Sequence, residues 1–131
     1  MQKPTIMLVD DEKAVINSLL NQLRRHFGYQ YRYESATNTD EAWSLLLDRP
    51  ERFALLISDW VIPGQRGDRF LELLQAECPK LDIILLSGFV DDETIEAVQH
   101  KSNIRAFIRK PWEEAELIEA VERIVRAPQS T

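Results

Sequence analysis

The sequence predicts an α/β fold of five βα units around a parallel sheet covered on both faces, and three observations predict it. Short apolar runs recur along the chain, helices of about ten to fourteen residues separate them, and each helix has a single apolar face. The first strand is Ile6 to Val9, followed by the acidic pair Asp10-Asp11. Val15, Ile16, Leu19, Leu20, Leu23 and Phe27 then fall at helical spacing. Tyr29 to Tyr33 alternates aromatic and polar residues, the pattern of a less buried edge strand. Thr39 ahead of Asp40 and Glu41 opens a second helix, with Trp43, Leu46 and Leu47 on one face as packing residues.

The run Phe53 to Ser58 is the third strand, and it ends on Asp59, with the turn Pro63-Gly64 beyond. Phe70, Leu71, Leu74 and Cys78 mark the third helix, and Ile83 to Leu86 the fourth strand, followed by Ser87. Asp91, ahead of Asp92 and Glu93, starts a fourth helix to about Gln99, whose large apolar residues are only Ile95 and Val98, so it is expected to be the least firmly anchored. Arg105 to Ile108 is the fifth strand, followed by Lys110-Pro111. Glu113 and Glu114 open a last helix carrying Leu117, Ile118, Val121, Ile124 and Val125, and Arg123 and Arg126 close it, acids at the start and bases at the end as the helix dipole favours. Ala127 to Thr131 reads as a tail or the start of a linker, so 1–131 is expected to be one domain with its core at about 5–126.

Composition narrows the function. A chain of 131 residues with 44% hydrophobic residues suits one domain, and that size buries roughly two-thirds of its extended surface. A net charge of −6 offers no basic field to a nucleic-acid backbone or an anionic membrane. The single Cys78 excludes an internal disulfide, a lone buried thiol suits a reducing cytoplasm, and no Cys/His spacing suits a metal. The four-residue apolar run near the N-terminus is too short for a signal sequence or a membrane span. A soluble, cytoplasmic protein is expected. His26 and His100 read as solvated surface rather than phosphohistidines, and Trp60 and Trp112 flank candidate functional positions.

Carboxylates and a lysine at the carboxyl ends of strands lie where open α/β sheets hold their chemistry. In their order Asp10-Asp11, Asp59 with Pro63-Gly64 and Gly67, Ser87-Gly88 and Lys110-Pro111, these residues make the chain resemble the receiver domain of bacterial two-component response regulators from about Thr5 to Arg126. The resemblance implies a flavodoxin-like doubly wound sandwich of strand order 2-1-3-4-5. It also implies phosphorylation of Asp59 by a histidine kinase, a phosphotransfer protein or a small phosphodonor. Three neighbouring carboxylates repel one another, which a hard divalent cation relieves. Mg2+, with Mn2+ as an alternative, is therefore expected, held as the resemblance implies by Asp11, Asp59 and the Val61 carbonyl, with Asp10 acting largely through water. Lys110, the Ser87 hydroxyl and the Trp60 and Gly88 N–H groups are expected to hold the transferred oxygens, and Pro111 to follow a cis peptide that aims the lysine. The output is expected through the face of the fourth helix, fifth strand and fifth helix, which carries Glu93, Glu96, Arg105, Arg109, Glu116 and Glu119, toward an output domain, a partner protein or a second copy.

Some positions depart from the usual pattern. Ile62 stands where methionine is common, and Phe107, at the switch position, lacks a hydroxyl and signals only by moving into or out of an apolar pocket. Val61 and Phe89 are apolar where relatives carry polar groups that orient water, so they are expected to lengthen the life of the phosphorylated form. Three other functions compete. A haloacid-dehalogenase-like phosphatase needs its nucleophile after the first strand and a second Asp two residues on, where Val61 stands; a dinucleotide-binding module needs a G-x-G-x-x-G that is absent; a receiver-like interaction module without phosphorylation has no use for the acceptor and lysine.

Overall fold

The computed structural model describes residues 3–60, 67–88, 92–99 and 103–126, with the backbone alone described at 67, 68, 94, 97–99 and 126. Helices and strands alternate through the chain: β1 (Thr5–Val9), α1 (Lys13–Phe27), β2 (Arg32–Ala36), α2 (Thr39–Asp48), a short 3-10 turn (Pro50–Arg52), β3 (Phe53–Asp59), α3 (Gly67–Glu77), β4 (Asp82–Ser87), α4 (Asp92–Gln99), β5 (Ile104–Arg109) and α5 (Glu114–Arg126). All four strand pairings are parallel, and the five-stranded sheet has the order β2-β1-β3-β4-β5. This is the flavodoxin-like order expected.

Successive side chains of a strand point to opposite faces, so the central strands feed two cores. Met7, Val9, Leu56, Ile83 and Leu85 pack with Ala42 and Leu46 of α2 and Phe70, Leu71 and Leu74 of α3. On the other face, Ile6, Leu8, Leu55, Ile57, Ile84, Leu86 and Ile108 pack with Leu19 and Leu23 of α1 and Leu117, Val121 and Ile124 of α5. Strands sandwiched in this way are apolar at nearly every position, which is why they read as continuous runs. Trp43 meets Phe70 edge-to-face, ring centroids 5.6 Å apart, and Cys78 is buried, so both are packing residues as expected. Leu47, expected beside Trp43, is instead half exposed. Ile95 of α4 is partly buried, and the side chain of Val98 is not among those described.

Two local readings need correction. The edge strand begins at Arg32, not Tyr29, because Gly28 (φ 59°) ends α1 in the left-handed region and sends the chain through a turn, in which the Gln30 N–H donates to the Phe27 carbonyl. The strand starts where Arg32 N–H finds the Pro4 carbonyl, and Tyr29 is left 89% exposed. The cap of α2 is Asn38 rather than Thr39. Its side chain accepts from Glu41 N–H at 2.9 Å, while the Glu41 carboxylate accepts from both the N–H and the hydroxyl of Thr37 at 2.8 Å. This reciprocal arrangement resembles a capping box and leaves Thr39 buried in the first turn. Asp10-Asp11 lies outside α1, whose cap residue Glu12 makes no side-chain capping bond, so the pair is not spent on capping that helix.

The hydrogen bonds from Thr37, backbone first and hydroxyl second, lower the Glu41 pKa below its ordinary 4.5. A lowered carboxylate pKa stabilises the fold above the ordinary value, and this contribution is lost as pH falls through the folded value. Asn38→Ala is expected to cost about 1 kcal/mol. Glu41→Gln is expected to lower the urea midpoint at pH 7, with the gap to the parent narrowing below about pH 4; an unchanged gap would remove Glu41 from the cap.

Candidate functional site

The register of the sheet assembles the candidate site. Val9 pairs with Ser58, so Asp10 and Asp59 leave β1 and β3 in step; Asp59 pairs with Leu86, and Ser87 with Arg109, so Ser87 and Lys110 emerge beside them. Four chain segments far apart in sequence thus deliver their side chains to one carboxyl edge.

Asp10 is fully buried, Asp59 and Ser87 are buried, and Asp11 and Glu12 are exposed. Lys110 Nζ lies 2.8 Å from Asp10 Oδ2 and 3.3 Å from Asp59 Oδ2, bridging the two buried carboxylates. Burial alone would lower the Lys110 pKa, but the hydrogen bond to Asp10 and the charges of Asp59 and Asp10 outweigh it, and the pKa rises above the ordinary 10.5. The lysine backbone is also held, its N–H donating to the Ser87 carbonyl at 2.8 Å, and the Lys110–Pro111 peptide is cis, as the sequence resemblance implied.

The fit of a divalent cation follows from the donors. Asp10, Asp11 and Glu12 bring carboxylate oxygens within 4.8 Å of one another, a hard, oxygen-only set open to solvent on the Asp11 side. Both Asp10 oxygens have protein partners, Oδ1 accepting from Glu12 N–H at 2.9 Å and Oδ2 from Lys110. Asp10 is therefore suited to a water-mediated role, and Asp11 to direct ligation. The residues present fit Mg2+. Sequence reading passed over Glu12, although three consecutive acids in the loop before α1 were its signal.

Gly88 borders open space, since a Cβ there would meet nothing within 4 Å. Phe107 is half-buried against the core on the α2–α3 face, and Trp60 packs on the same core. The Trp60 N–H corrects an expectation: it donates to the Leu86 carbonyl at 2.7 Å, continuing the β3–β4 ladder by one residue, and so is not a spare donor for transferred oxygens. Trp112 packs on the α1–α5 core and donates from Nε1 to Gln22 Oε1 at 2.8 Å. His26 is exposed at the end of α1, 3.4 Å from Glu122, far along the helix from the acidic loop. Val61, Ile62, Pro63-Gly64, Phe89, Asp91, His100 and the tail lie outside the described residues.

Residues 6–122 match the family described as the response regulator receiver domain. The chain belongs to that family. It is 32% identical over 126 residues to the hydrogenase transcriptional regulatory protein HoxA of Cupriavidus necator, covering 96% of this chain and 25% of that protein. It is 29% identical over 119 residues to the response regulator protein FleR of Pseudomonas aeruginosa, covering 90% of this chain and 24% of that one. The receiver thus spans about a quarter of the length of these regulators. Among solved structures, the signal receiver domain of an HD domain-containing protein from Pseudomonas fluorescens superposes with a TM-score of 0.85 at 26% identity, covering 99% of this chain and 100% of that chain. Among the described residues, no helix is long and apolar enough to cross a membrane.

The Lys110 bridge has a measurable consequence. Removing one partner of a buried ion pair leaves the other charge uncompensated, so Lys110→Met is expected to destabilise the receiver by roughly 3 kcal/mol. Adding Asp10→Asn should restore part of that loss in a double-mutant cycle. Because the folded pKa is raised, the lysine's contribution is full below 10.5 and disappears as pH rises through the folded value. Denaturant midpoints that are additive across the cycle would remove the coupling.

Proposed function

We propose that this receiver is a phosphorylation-operated switch whose acceptor is Asp59, and the observation that carries the reading is the Lys110 ammonium held between Asp59 and buried Asp10. An Asp59 carboxylate oxygen attacks the phosphorus of a phosphohistidine or small phosphodonor; a P–O bond forms, the bond to the donor breaks, and the leaving group takes the electron pair. Lys110 already sits where it can exchange a carboxylate oxygen for a transferred phosphoryl oxygen, and the Ser87 hydroxyl and Gly88 N–H are the nearby donors that complete the set. Asp11 and Asp59, with Asp10 through water, would hold Mg2+, which would supply charge neutralisation to the transfer. A single domain extending over 1–131 in the cytoplasm suits this role.

The output face supports the reading in its charge pattern. Arg105 pairs with Asp82 at 2.8 Å and Arg109 with Asp92 at 3.0 Å, so two cations of the α4-β5-α5 face are engaged within the chain. Glu93, Glu96, Glu116 and Glu119 are exposed on it, which suits a partner surface rich in lysine and arginine. Phosphorylation draws Ser87 inward, Phe107 follows from its half-buried position, and the face changes its affinity by population shift. Some relatives about four times longer are named transcriptional regulators, so an attached output domain is the proposed partner, with a homodimer as its route of assembly.

Acetyl phosphate or phosphoramidate with Mg2+ is expected to add one phosphoryl group, read as a single mass increment. Asp59→Asn abolishes it, and Asp11→Asn weakens labelling together with its Mg2+ dependence. A mutant Asp59→Asn that still labels, or label on His26 or His100, would refute the assignment. Replacing Val61 by Asn and Phe89 by Glu together is expected to speed phosphate loss at constant Mg2+ several-fold; unchanged decay would show that neither side chain excludes the attacking water.

A further inference from the structure

At the opposite end of the sheet, about 15 Å from the acceptor by the length of β1, a cleft of about 720 Å³ opens where the start of β1, the end of α1 and the edge strand β2 meet. Its volume is within the range of small-ligand sites. In a chain of net charge −6, this cleft is lined by the cations Lys3, Arg24, Arg32 and Arg52 against the one carboxylate of Glu34. Three tyrosines, Tyr29, Tyr31 and Tyr33, share the lining.

One further observation points to a ligand. Lys3 stands over the Tyr29 ring at 5.6 Å and Arg24 over the Tyr33 ring at 5.7 Å, so cations and aromatic surfaces are already arranged together. A guanidinium stacked by its face keeps its N–H donors at the edge. Buried polar atoms normally have hydrogen-bond partners, yet three of the cleft residues hold atoms without one among the described residues: Tyr33 Oη, Arg52 Nε and Glu34 Oε2. Glu34 Oε2 is 2.8 Å from Arg52 Nη2, an ion pair by distance that lacks hydrogen-bond geometry. Burial raises the Tyr33 pKa, so its hydroxyl remains a donor.

We propose that this cleft binds a phosphorylated small molecule bearing a planar ring, of the nucleotide class. Arg24, Arg32 and Lys3 hold the phosphate oxygens, and the exposed Tyr29 ring stacks on its base. The site is separate from the carboxylate end and does not depend on phosphorylation.

Calorimetric titration with ATP, GTP and inorganic pyrophosphate, with EDTA present to keep metal from the carboxylate end, tests this. One nucleotide is expected to bind saturably with a stoichiometry of one, about tenfold tighter than pyrophosphate. Arg24→Gln with Arg32→Gln should weaken it by about tenfold or more, with binding persisting in Asp59→Asn. No saturation by about 1 mM nucleotide, or unaltered affinity in the arginine variant, overturns the site; pyrophosphate binding as tightly as the nucleotide overturns its ring-recognising half.

Discussion

A lysine shared by two buried carboxylates is the interaction on which the carboxyl edge of this sheet depends. An ionised Asp10 with no exposure would be far too costly alone, and Lys110 makes it tolerable at 2.8 Å while also reaching Asp59. The pair joins residues at opposite ends of the chain, so the first and fifth βα units are tied through chemistry as well as through the α1–α5 core. Asp11 and Glu12 then add negative charge that Lys110 does not balance. That residual charge is of the kind a hard divalent cation relieves.

The scaffold explains why such a charged cluster holds its geometry. Both faces of β1, β3 and β4 are packed, so the strands that end in Asp10, Asp59 and Ser87 have little freedom to slide. The register turns this rigidity into position, since a one-residue slip would send Asp59 away from Asp10 and exchange the faces of the whole strand. Mobility is better placed elsewhere. Phe107 is only half-buried, and α4 contributes few large apolar residues, so the α4–β5 region is where a change at Asp59 can be accommodated at low cost.

Charge is divided unevenly over the molecule. Acids gather at the carboxyl edge and on the α4-β5-α5 face, while arginines and tyrosines gather around the amino end of β2. Two ends of one sheet therefore offer opposite electrostatic surfaces, and ligands of different chemistry suit each.

Sequence pattern by itself determined the five units, the two-faced burial of the central strands and the identity of the carboxyl-edge residues, because apolar periodicity and residue order are local properties. The strand order came from resemblance rather than from periodicity, and the structure bears it out. Tertiary structure decided what depends on pairing. Arg32 rather than Tyr29 begins the edge strand because only Arg32 reaches the Pro4 carbonyl after the Gly28 turn. Asn38 displaces Thr39 as a cap because the bond to Glu41 N–H requires that spacing. The Trp60 N–H is taken by Leu86, a partner set by the β3–β4 register and invisible in a linear chain. The sharing of Lys110 between Asp10 and Asp59, and the cleft whose cations come from the start of β1, α1, β2 and the 3-10 turn, likewise exist only once distant segments meet in space.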